Sequence, residues 1–206
     1  MKYNNLNKFK DNFSNYTELR VQENRNNRVI LTNGDVTGNA SIKTSGVSAR
    51  VFKDGNWGFS SSPNIDDDSI NSVMNASNEN VQFMNKKDSN RCGFFLPETK
   101  ANHDINFTTT KDRNNQKYWL DFIREIDGYI EKKYPELLSR NLVIGELDME
   151  KSLFTSDGSE AYSMTPRALL YAMLSIEKGG SPVSIGNPWG GLGQLEDKFI
   201  TPSKYF

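Results

Sequence analysis

Residues 46–61 read GVSARVFKDGNWGFSS, and this stretch decides the fold class. Apolar side chains from Val47 to Val51 alternate with polar ones, and the alternation resumes after Asp54-Gly55. A period of two is typical of a β-strand, and an Asp-Gly pair tolerates the positive φ angles of a two-residue turn. The sequence therefore predicts a β-hairpin that turns at Asp54 and Gly55.

A second pair of strands is predicted on the amino-terminal side of this hairpin. Residues 17–24 and 28–32 have the alternating pattern of strands, and Asn33-Gly34 is a second tight-turn signal. Before them, residues 3–15 place apolar side chains at helical spacing, which predicts a short amphipathic helix.

Two longer segments repeat apolar side chains with the 3.6-residue period of an amphipathic helix. Residues 66–84 open with three aspartates, which suit the positive end of a helix, and residues 113–133 are followed by Tyr134-Pro135, which ends a helix. The apolar stripes are Ile70, Val73, Met74, Ser77, Val81 and Met84 in the first segment and Tyr118, Trp119, Phe122, Ile123, Ile126, Tyr129 and Ile130 in the second.

A further β region is predicted over residues 142–186, where turn residues at 156–158 and 179–180 separate apolar runs. A brief strand is expected at residues 105–109. This order of elements favours an α+β fold over a doubly wound parallel sheet. We expect antiparallel, curved β-sheet regions with two or three packed amphipathic helices.

The domain boundaries follow from the same pattern. We expect one α+β domain over residues 1–186, with two β subregions at 17–61 and 142–186. Residues 187–206 read as a glycine-rich linker and the start of a helix with proline at its first position. Because that helix has barely one turn before Phe206, the sequence favours a truncated chain, while a natural end remains the alternative.

The composition makes several classes of partner improbable. The 206 residues carry 25 Lys and Arg against 26 Asp and Glu. The net charge of -1 therefore gives no excess of positive charge to bind nucleic acid. The sequence has no apolar run of about 18 residues that could span a bilayer, and its amino terminus lacks the apolar core of a secretory signal. We therefore expect a cytoplasmic protein without a membrane or nucleic-acid partner.

The counts of cysteine and histidine limit the chemistry. Cys92 and His103 are each alone in the sequence, which excludes an internal disulfide and any zinc site that needs two histidines. They are interpreted as a structural cysteine and a loop histidine, because nothing local resembles a protease signature. Asp66-Asp67-Asp68 lacks the spacing of an EF-hand, and residues 190–193 lack the Lys-Ser/Thr of a phosphate loop. The sequence thus predicts no catalytic and no metal-ligating residue, and Trp189 is expected to pack.

The hairpin carries the one candidate binding motif. An arginine on its first strand and two aromatic residues on its return strand could cradle an extended peptide. The more heavily weighted alternative places both aromatic side chains in the core and pairs the arginine with a local carboxylate. The candidate peptide-binding or structural residues are Arg50, Asp54, Gly55, Trp57, Gly58 and Phe59.

Residues 17–61 resemble the amino-terminal domain of the TldD/PmbA family, the modulators of DNA gyrase that are now regarded as zinc metallopeptidases. The resemblance rests on ELRVQ at 18–22, RVILTNGDV at 28–36 and the hairpin at 46–61, in the family's order. It implies a bacterial or archaeal cytosolic protein about twice as long. The family's His-Glu-x-x-x-His zinc motif and its later cysteine would lie beyond Phe206, since no residue of this sequence matches them.

The resemblance also implies a partner and a substrate. Two-subunit assemblies of the family enclose a cavity in which unfolded peptides are cleaved, and the amino-terminal domain helps to form its walls. We therefore expect a non-catalytic segment that encloses unfolded peptide and contacts a family member in a homo- or heterodimer, with zinc held only by the full-length protein. The alternative is a self-contained, non-enzymatic protein-binding module or regulatory subunit, and DNA binding ranks third.

Overall fold

A computed structural model describes residues 5–87 and 96–205, and it confirms the α+β prediction. The strands of the described chain are β1 (Tyr16–Thr32), β2 (Asp35–Lys53), β3 (Asn56–Ser62), β4 (Asn102–Asn106), β5 (Ser139–Thr155), β6 (Glu160–Lys178) and β7 (Ser181–Leu192). The helices are α1 (Asp67–Lys87), α2 (Gln116–Lys133) and the short α3 (Leu195–Lys198), with 3₁₀ turns at Leu6–Asn12 and Pro202–Tyr205. Cys92 lies outside the described residues.

The strands pair in the order β3-β2-β1-β5-β6-β4, and β7 also pairs with β6. The β2–β3 and β6–β7 pairs are antiparallel, as expected, whereas β4 runs parallel to β6. Strands β1 and β5 are neighbours in this order, although the sequence places them in different β subregions. The two predicted β subregions are therefore parts of one sheet.

The Cα positions divide the chain into two units, and the long strands contribute to both. Unit 1 comprises Met1–Asn24, Thr44–Asn106 and Met149–Met164. Unit 2 comprises Arg25–Lys43, Phe107–Asp148 and Thr165–Phe206.

In unit 1, α1 and the 3₁₀ turn at Leu6–Asn12 cover one side of the strands. The side chains of α1 that face the sheet recur at helical spacing, while those of the strands alternate with exposed neighbours. Asp66 caps the start of α1, since its carboxylate accepts the Ser69 N–H at 2.8 Å and the Ser69 hydroxyl at 3.1 Å. The buried apolar cluster comprises Leu6, Phe9, Leu19, Val21, Val47, Ala49, Ile70, Val73, Met74 and Phe154.

In unit 2, α2 packs on the strands in the same manner. Asn115 caps the helix by accepting the Tyr118 N–H at 2.9 Å. A buried ion pair joins α2 to the start of β5, where Arg140 Nε lies 2.9 Å from Asp127 Oδ1. The buried apolar cluster comprises Val29, Leu31, Trp119, Phe122, Ile123, Ile126, Ile130, Leu142, Ile144, Ala168, Leu170, Ala172, Leu195 and Phe199.

Several element boundaries differ from the sequence-based predictions. The helix expected at residues 3–15 is a 3₁₀ turn at Leu6–Asn12, and the strands expected at 17–24 and 28–32 are one strand, β1. The polar residues between them remain extended because β2 and β5 pair with β1 on its two sides, and pairing outweighs local preference. The strand expected at 105–109 is β4, which ends at Asn106.

Two residues of the predicted apolar stripes face away from the core. Met84 of α1 is 46% exposed, and Asn85 occupies the buried position beside it. Tyr118 of α2 is 41% exposed, while Asp127 is buried at the opposite end of the helix. The side-chain oxygen of Asn85 accepts from Asn56 at 2.7 Å while its buried amide nitrogen has no hydrogen-bond partner among the described residues, and Asp127 accepts from an arginine.

The segment predicted as a linker, residues 187–206, contributes to unit 2. Asn187 to Leu192 extend β7, and Leu195 and Phe199 are buried in the core around α2. Trp189 packs edge-on against Tyr205, with 5.8 Å between ring centroids. Gly190, Gly191 and Gly193 have φ angles of 142°, 135° and 122°, which residues with a side chain rarely adopt, so this backbone requires glycine.

Strand β7 pairs with β6 along one edge, and two prolines stand on its other edge. The two-residue turn Gly179-Gly180 closes on the pair Lys178 and Ser181, and the register is unbroken to Leu192. In such a hairpin, successive N–H groups point alternately toward the partner strand and away from it. Pro182 and Pro188 both occupy outward positions, so that edge lacks a hydrogen-bond donor at each of them.

Candidate functional site

The predicted hairpin at Asp54 and Gly55 is confirmed. Asp54 has φ 50° and Gly55 has φ 87°, the paired positive angles that a tight hairpin turn between twisted strands requires. The closing pair is Lys53 with Asn56, and Arg50 lies directly opposite Phe59 in the register. Side chains of directly paired residues share one face, so Arg50 and Phe59 stand on the same side of the sheet.

Gly58 lies on the opposite, buried side, where α1 crosses the hairpin. An ideal Cβ atom on Gly58 would lie 2.0 Å from the Ser77 carbonyl oxygen and 2.5 Å from the Val81 amide nitrogen. No side chain fits into that space, so only glycine permits this approach of α1 to β3. The close packing of α1 on this side leaves Trp57 and Phe59 on the other.

The outward side of the hairpin and of β1 forms an aromatic face, defined here by Tyr16, Phe52, Trp57 and Phe59 with Arg50 and Glu18. Trp57 is the centre of this face. Its ring lies 5.0 Å from the Phe52 centroid and 6.0 Å, edge-on, from the Tyr16 centroid. The Arg50 guanidinium lies 4.7 Å from the Trp57 ring, within range of a cation–π interaction.

Arg50 is fixed in this position by Glu18 of β1. Its Nε and Nη2 donate to the two carboxylate oxygens at 2.7 and 2.9 Å, a bidentate pair. This hydrogen bonding raises the pKa of Arg50. Tyr16 also donates to Glu18, at 3.1 Å, and burial together with the Glu18 charge raises the pKa of Tyr16 to about 12.

The structure agrees with one part of the structural interpretation of this motif and differs from another, and peptide binding stays a prediction. Arg50 pairs with a local carboxylate, as the structural interpretation expected. Trp57 and Phe59 do not face the core, however, since they are 39% and 58% exposed. A groove of about 180 Å³ lies beside Phe59, lined by Glu18, Arg20, Ser48, Arg50, Phe59 and Leu153. The six predicted residues therefore divide into an exposed platform, its turn at Asp54 and Gly55, and the buried Gly58.

Unit 2 contains a polar centre that sequence reasoning missed. Arg113 bridges the carboxylates of Glu146 on β5 and Glu196 on α3, with 2.9 Å from its Nε to Glu196 Oε2. The side chains of both glutamates are only 3% exposed. Burial lowers the pKa of Arg113, but the charges of Glu146 and Glu196 outweigh this and raise it.

This polar centre holds the segment before α2 against α3. The Asn114 N–H donates to Glu196 at 2.8 Å, and Thr109 donates through its N–H to Gln194 and through its hydroxyl to Asp197. A cleft of about 210 Å³ adjoins it. Glu146 accepts hydrogen bonds from Asn27, Arg113 and the Leu195 N–H, so we interpret the centre as structural, although the buried Glu196 Oε2 has an ion pair and no hydrogen bond among the described residues.

The remaining sequence candidates in residues 5–87 and 96–205 form no catalytic arrangement. His103 is exposed, but it lies on β4 and not in the predicted loop. Asp66 caps α1, and Asp67 pairs with Lys8 at 2.6 Å, so these aspartates serve the helix start. Hydrogen bonds from Ser69 lower the pKa of Asp66.

The residues present do not fit the zinc that the family resemblance implies. Within residues 5–87 and 96–205, no group of three or more His, Cys, Asp or Glu side chains is placed to hold a metal ion. Over the same ranges, no helix is long and apolar enough to cross a bilayer. Zinc in a longer protein and a cytoplasmic location both stay predictions.

Comparisons with known proteins agree with the sequence-based resemblance. A family model described as domain 1 of the PmbA/TldA metallopeptidases matches residues 17–80, which include the aromatic face's hairpin and most of α1. No curated protein matches the sequence.

Solved structures share the fold over nearly the whole chain. A candidate modulator of DNA gyrase from Thermotoga maritima has a TM-score of 0.69 and 17% identity, over 92% of this chain and 41% of that one. TldE from Thermococcus kodakarensis has a TM-score of 0.64 and 11% identity, over 89% and 41%. A candidate modulator of DNA gyrase from Bacteroides thetaiotaomicron has a TM-score of 0.68 and 12% identity, over 92% and 44%. The chain thus spans less than half the length of the solved proteins it matches.

Proposed function

Residues 17–80 are the first domain of the TldD/PmbA family, and from this premise we propose that the chain is the non-catalytic, peptide-enclosing part of a metallopeptidase of that type. The family match carries the proposal, because its description names a metallopeptidase domain and the matched residues include the hairpin. The fold shared over 92% of the chain supports it, since the family's architecture then extends beyond the matched residues.

The sheet has the kind of surface that a peptide-enclosing wall needs. An unfolded chain can be held through its backbone by the free edge of a strand, irrespective of its sequence. In unit 2, residues 35–42 of β2 pair with β1 on one side. Their other edge has no partner strand in the described chain, because β3 pairs only with residues 47–53. No proline interrupts residues 35–42, so their outward N–H and C=O groups could bind an extended peptide.

Subunit contacts form the second half of the proposal. The carboxyl-terminal hairpin of unit 2 carries apolar cross-strand pairs, Leu174 with Ile185 and Ile176 with Val183, on one face. Ile185 is 71% exposed and Val183 is 50% exposed. An exposed apolar cluster of this kind is typical of a protein–protein interface.

The proposal is tested by measuring peptide binding and hydrolysis separately. Fluorescence anisotropy would follow the binding of labelled unfolded peptides of unrelated sequence to the complete chain. We expect comparable affinities among uncharged sequences, loss of binding when alternate backbone amides are N-methylated, and no hydrolysis with or without added zinc. N-methylated and unmethylated peptides share their side chains, so the comparison isolates backbone hydrogen bonds.

Two results would contradict the proposal. Zinc-dependent cleavage of the peptides by this chain alone would show that it carries its own catalytic centre. Binding of one sequence only, insensitive to N-methylation, would instead support the alternative of a self-contained protein-binding module, for which the exposed Trp57 and Phe59 are the favouring observation.

A further inference from the structure

The charges on the aromatic face do not balance. Strands alternate their side chains between two sides, so Arg20 of β1 and Lys151 of β5 lie on the same side as Glu18 and Arg50. Arg50 and Glu18 neutralise each other in their bidentate pair. Arg20 is exposed and Lys151 is partly exposed, and neither forms an ion pair with any residue in the ranges 5–87 and 96–205.

From this surplus we propose that the aromatic face is an exosite for acidic, unfolded peptide segments. The inference rests on the proposed function and adds to it a preferred class of substrate. Aspartate or glutamate side chains would pair with Arg20 and Lys151, and an apolar side chain of the same segment would lie on Trp57 and Phe59.

The groove beside Phe59 sets the size of what is bound. At about 180 Å³ it is smaller than the roughly 300 Å³ at which small-molecule sites begin, so it suits one side chain of a peptide rather than a whole cofactor. Arg20 and Leu153 both line it, which places a cationic group and an apolar wall in reach of the same side chain.

The side chains at the centre of the aromatic face are held in place without a ligand. Glu18 holds Arg50 through two hydrogen bonds, and Arg50 in turn lies over Trp57. The exposed ring therefore loses little conformational freedom on binding, and such preorganisation improves affinity without a new contact.

A peptide is favoured over a single-stranded nucleic acid as the occupant. Aromatic faces with arginine do bind nucleic acids, but those surfaces follow a backbone with one negative charge per nucleotide. On this side of the described chain, Arg20 and Lys151 are the cations without an ion pair, and the negative charge of Asp157 acts on Tyr16 nearby. The whole chain carries a net charge of -1.

The experiment compares an acidic peptide containing one leucine with its Glu→Gln counterpart, both labelled, on the complete chain. We expect the acidic peptide to bind about tenfold more tightly at low salt and the difference to shrink as salt is raised. The charge-reversing double variant R20E/K151E should remove the preference. Its control K132E/K204E changes the net charge equally at exposed positions outside the face.

The aromatic contribution is tested with a second matched pair of variants. Phe59→Ser should weaken binding of both peptides by about tenfold, whereas Phe83→Ser on α1 should leave it unchanged. The two rings are 58% and 56% exposed, so the variants remove similar amounts of exposed apolar surface. Circular dichroism and urea midpoints equal to wild type would confirm that each variant folds.

The possible results separate this inference from the proposed function. Equal binding of acidic and neutral peptides would overturn the exosite while leaving the peptide-enclosing function intact. Failure to bind either peptide would overturn both. Tight, salt-dependent binding of oligo(dT) that competes with the acidic peptide at the face would replace the peptide by nucleic acid and so also overturn the inference.

Discussion

Single residues decide how closely α1 approaches the hairpin. Gly58→Ala places a Cβ atom 2.0 Å from the Ser77 carbonyl oxygen, so α1 must shift. We expect a loss of about 2–3 kcal/mol in the free energy of unfolding, as is typical of overpacking in a core. Urea denaturation measures it directly.

Gly128→Ala in α2 provides the matched control. A Cβ atom there meets nothing within 4 Å, so the substitution should stabilise the protein by about 0.5–1 kcal/mol through its effect on helix propensity. If both substitutions change the free energy of unfolding equally, α1 packs less closely on β3 at Gly58 than the structure indicates.

Tyr16 predicts a pH dependence of stability in the alkaline range. Its pKa in the folded chain is about 12, above the ordinary value of 10. A raised pKa means that the folded state holds the proton more tightly, so the associated stabilisation is complete below pH 10 and is lost as pH rises toward 12. Tyr16→Phe should therefore lessen the fall in unfolding free energy between these pH values.

Urea midpoints at several pH values would measure this difference. The exposed Tyr118→Phe provides the control, since it also removes one hydroxyl. An identical alkaline profile for wild type and Tyr16→Phe would contradict the role assigned to the contact between Tyr16 and Glu18.

Local sequence predicted the turns but not the polar centre of unit 2. Asp54-Gly55 and Asn33-Gly34 were predictable because positive φ angles select these residue types wherever they occur. Arg113, Glu146 and Glu196 are far apart in sequence, and only the tertiary fold brings them together. A usable signal existed: Glu146 occupies a position that the alternation of β5 assigns to the core.

At the scale of elements, α2 depends on its cap. Asn115→Ala removes the acceptor of the Tyr118 N–H and should lower the free energy of unfolding by about 1 kcal/mol. Asn115→Asp keeps an acceptor and adds a charge that suits the positive end of the helix, so it should be neutral or stabilising. Thermal unfolding of both variants measures their stabilities. A loss in Asn115→Ala that is absent from Asn115→Asp would show that the side-chain oxygen at this position caps α2.

Helices and strands were predictable in kind, whereas their boundaries were not. The apolar period identified α1 and α2 because each buries one continuous stripe. Residues 25–27 are too polar to be predicted as strand, yet they belong to β1 because β2 and β5 pair with β1 on its two sides. Residues 187–192 looked like a linker for the same reason, since their strand conformation depends on pairing with β6.

At the scale of the whole molecule, the exposed apolar hairpin predicts self-association or pairing with a relative. Ile185→Asp places a charge at the most exposed apolar position of that cluster. If the chain dimerises through this face, sedimentation should show the variant shifted to monomer by at least tenfold in dissociation constant. Ile200→Asp is the control, since Ile200 is 58% exposed and lies outside the cluster.

A dimer that survives Ile185→Asp would use another surface, and a wild-type chain that is monomeric would contradict self-association through this hairpin. A dimer disrupted equally by both substitutions would indicate nonspecific association.

The sequence-based resemblance to the TldD/PmbA family rests on residues 17–61, where turns, glycines and an aromatic pair recur in the family's order. A family model matches residues 17–80, while the likeness in fold extends over 92% of the chain at 17% identity. The rest of the sheet is specified by a hydrophobic pattern that many sequences satisfy. Sequence alone could therefore suggest this first domain without giving the strand order.

The two prolines on the outer edge of β7 also affect how readily this protein aggregates. An open strand border is a template on which other chains can stack into fibrils, and a long sheet is most vulnerable while it is being synthesised. Pro182 and Pro188 interrupt that template near the start of the strand and beyond its middle. Insoluble β-aggregates would thus have difficulty growing from this border, even when the nascent chain is still incomplete.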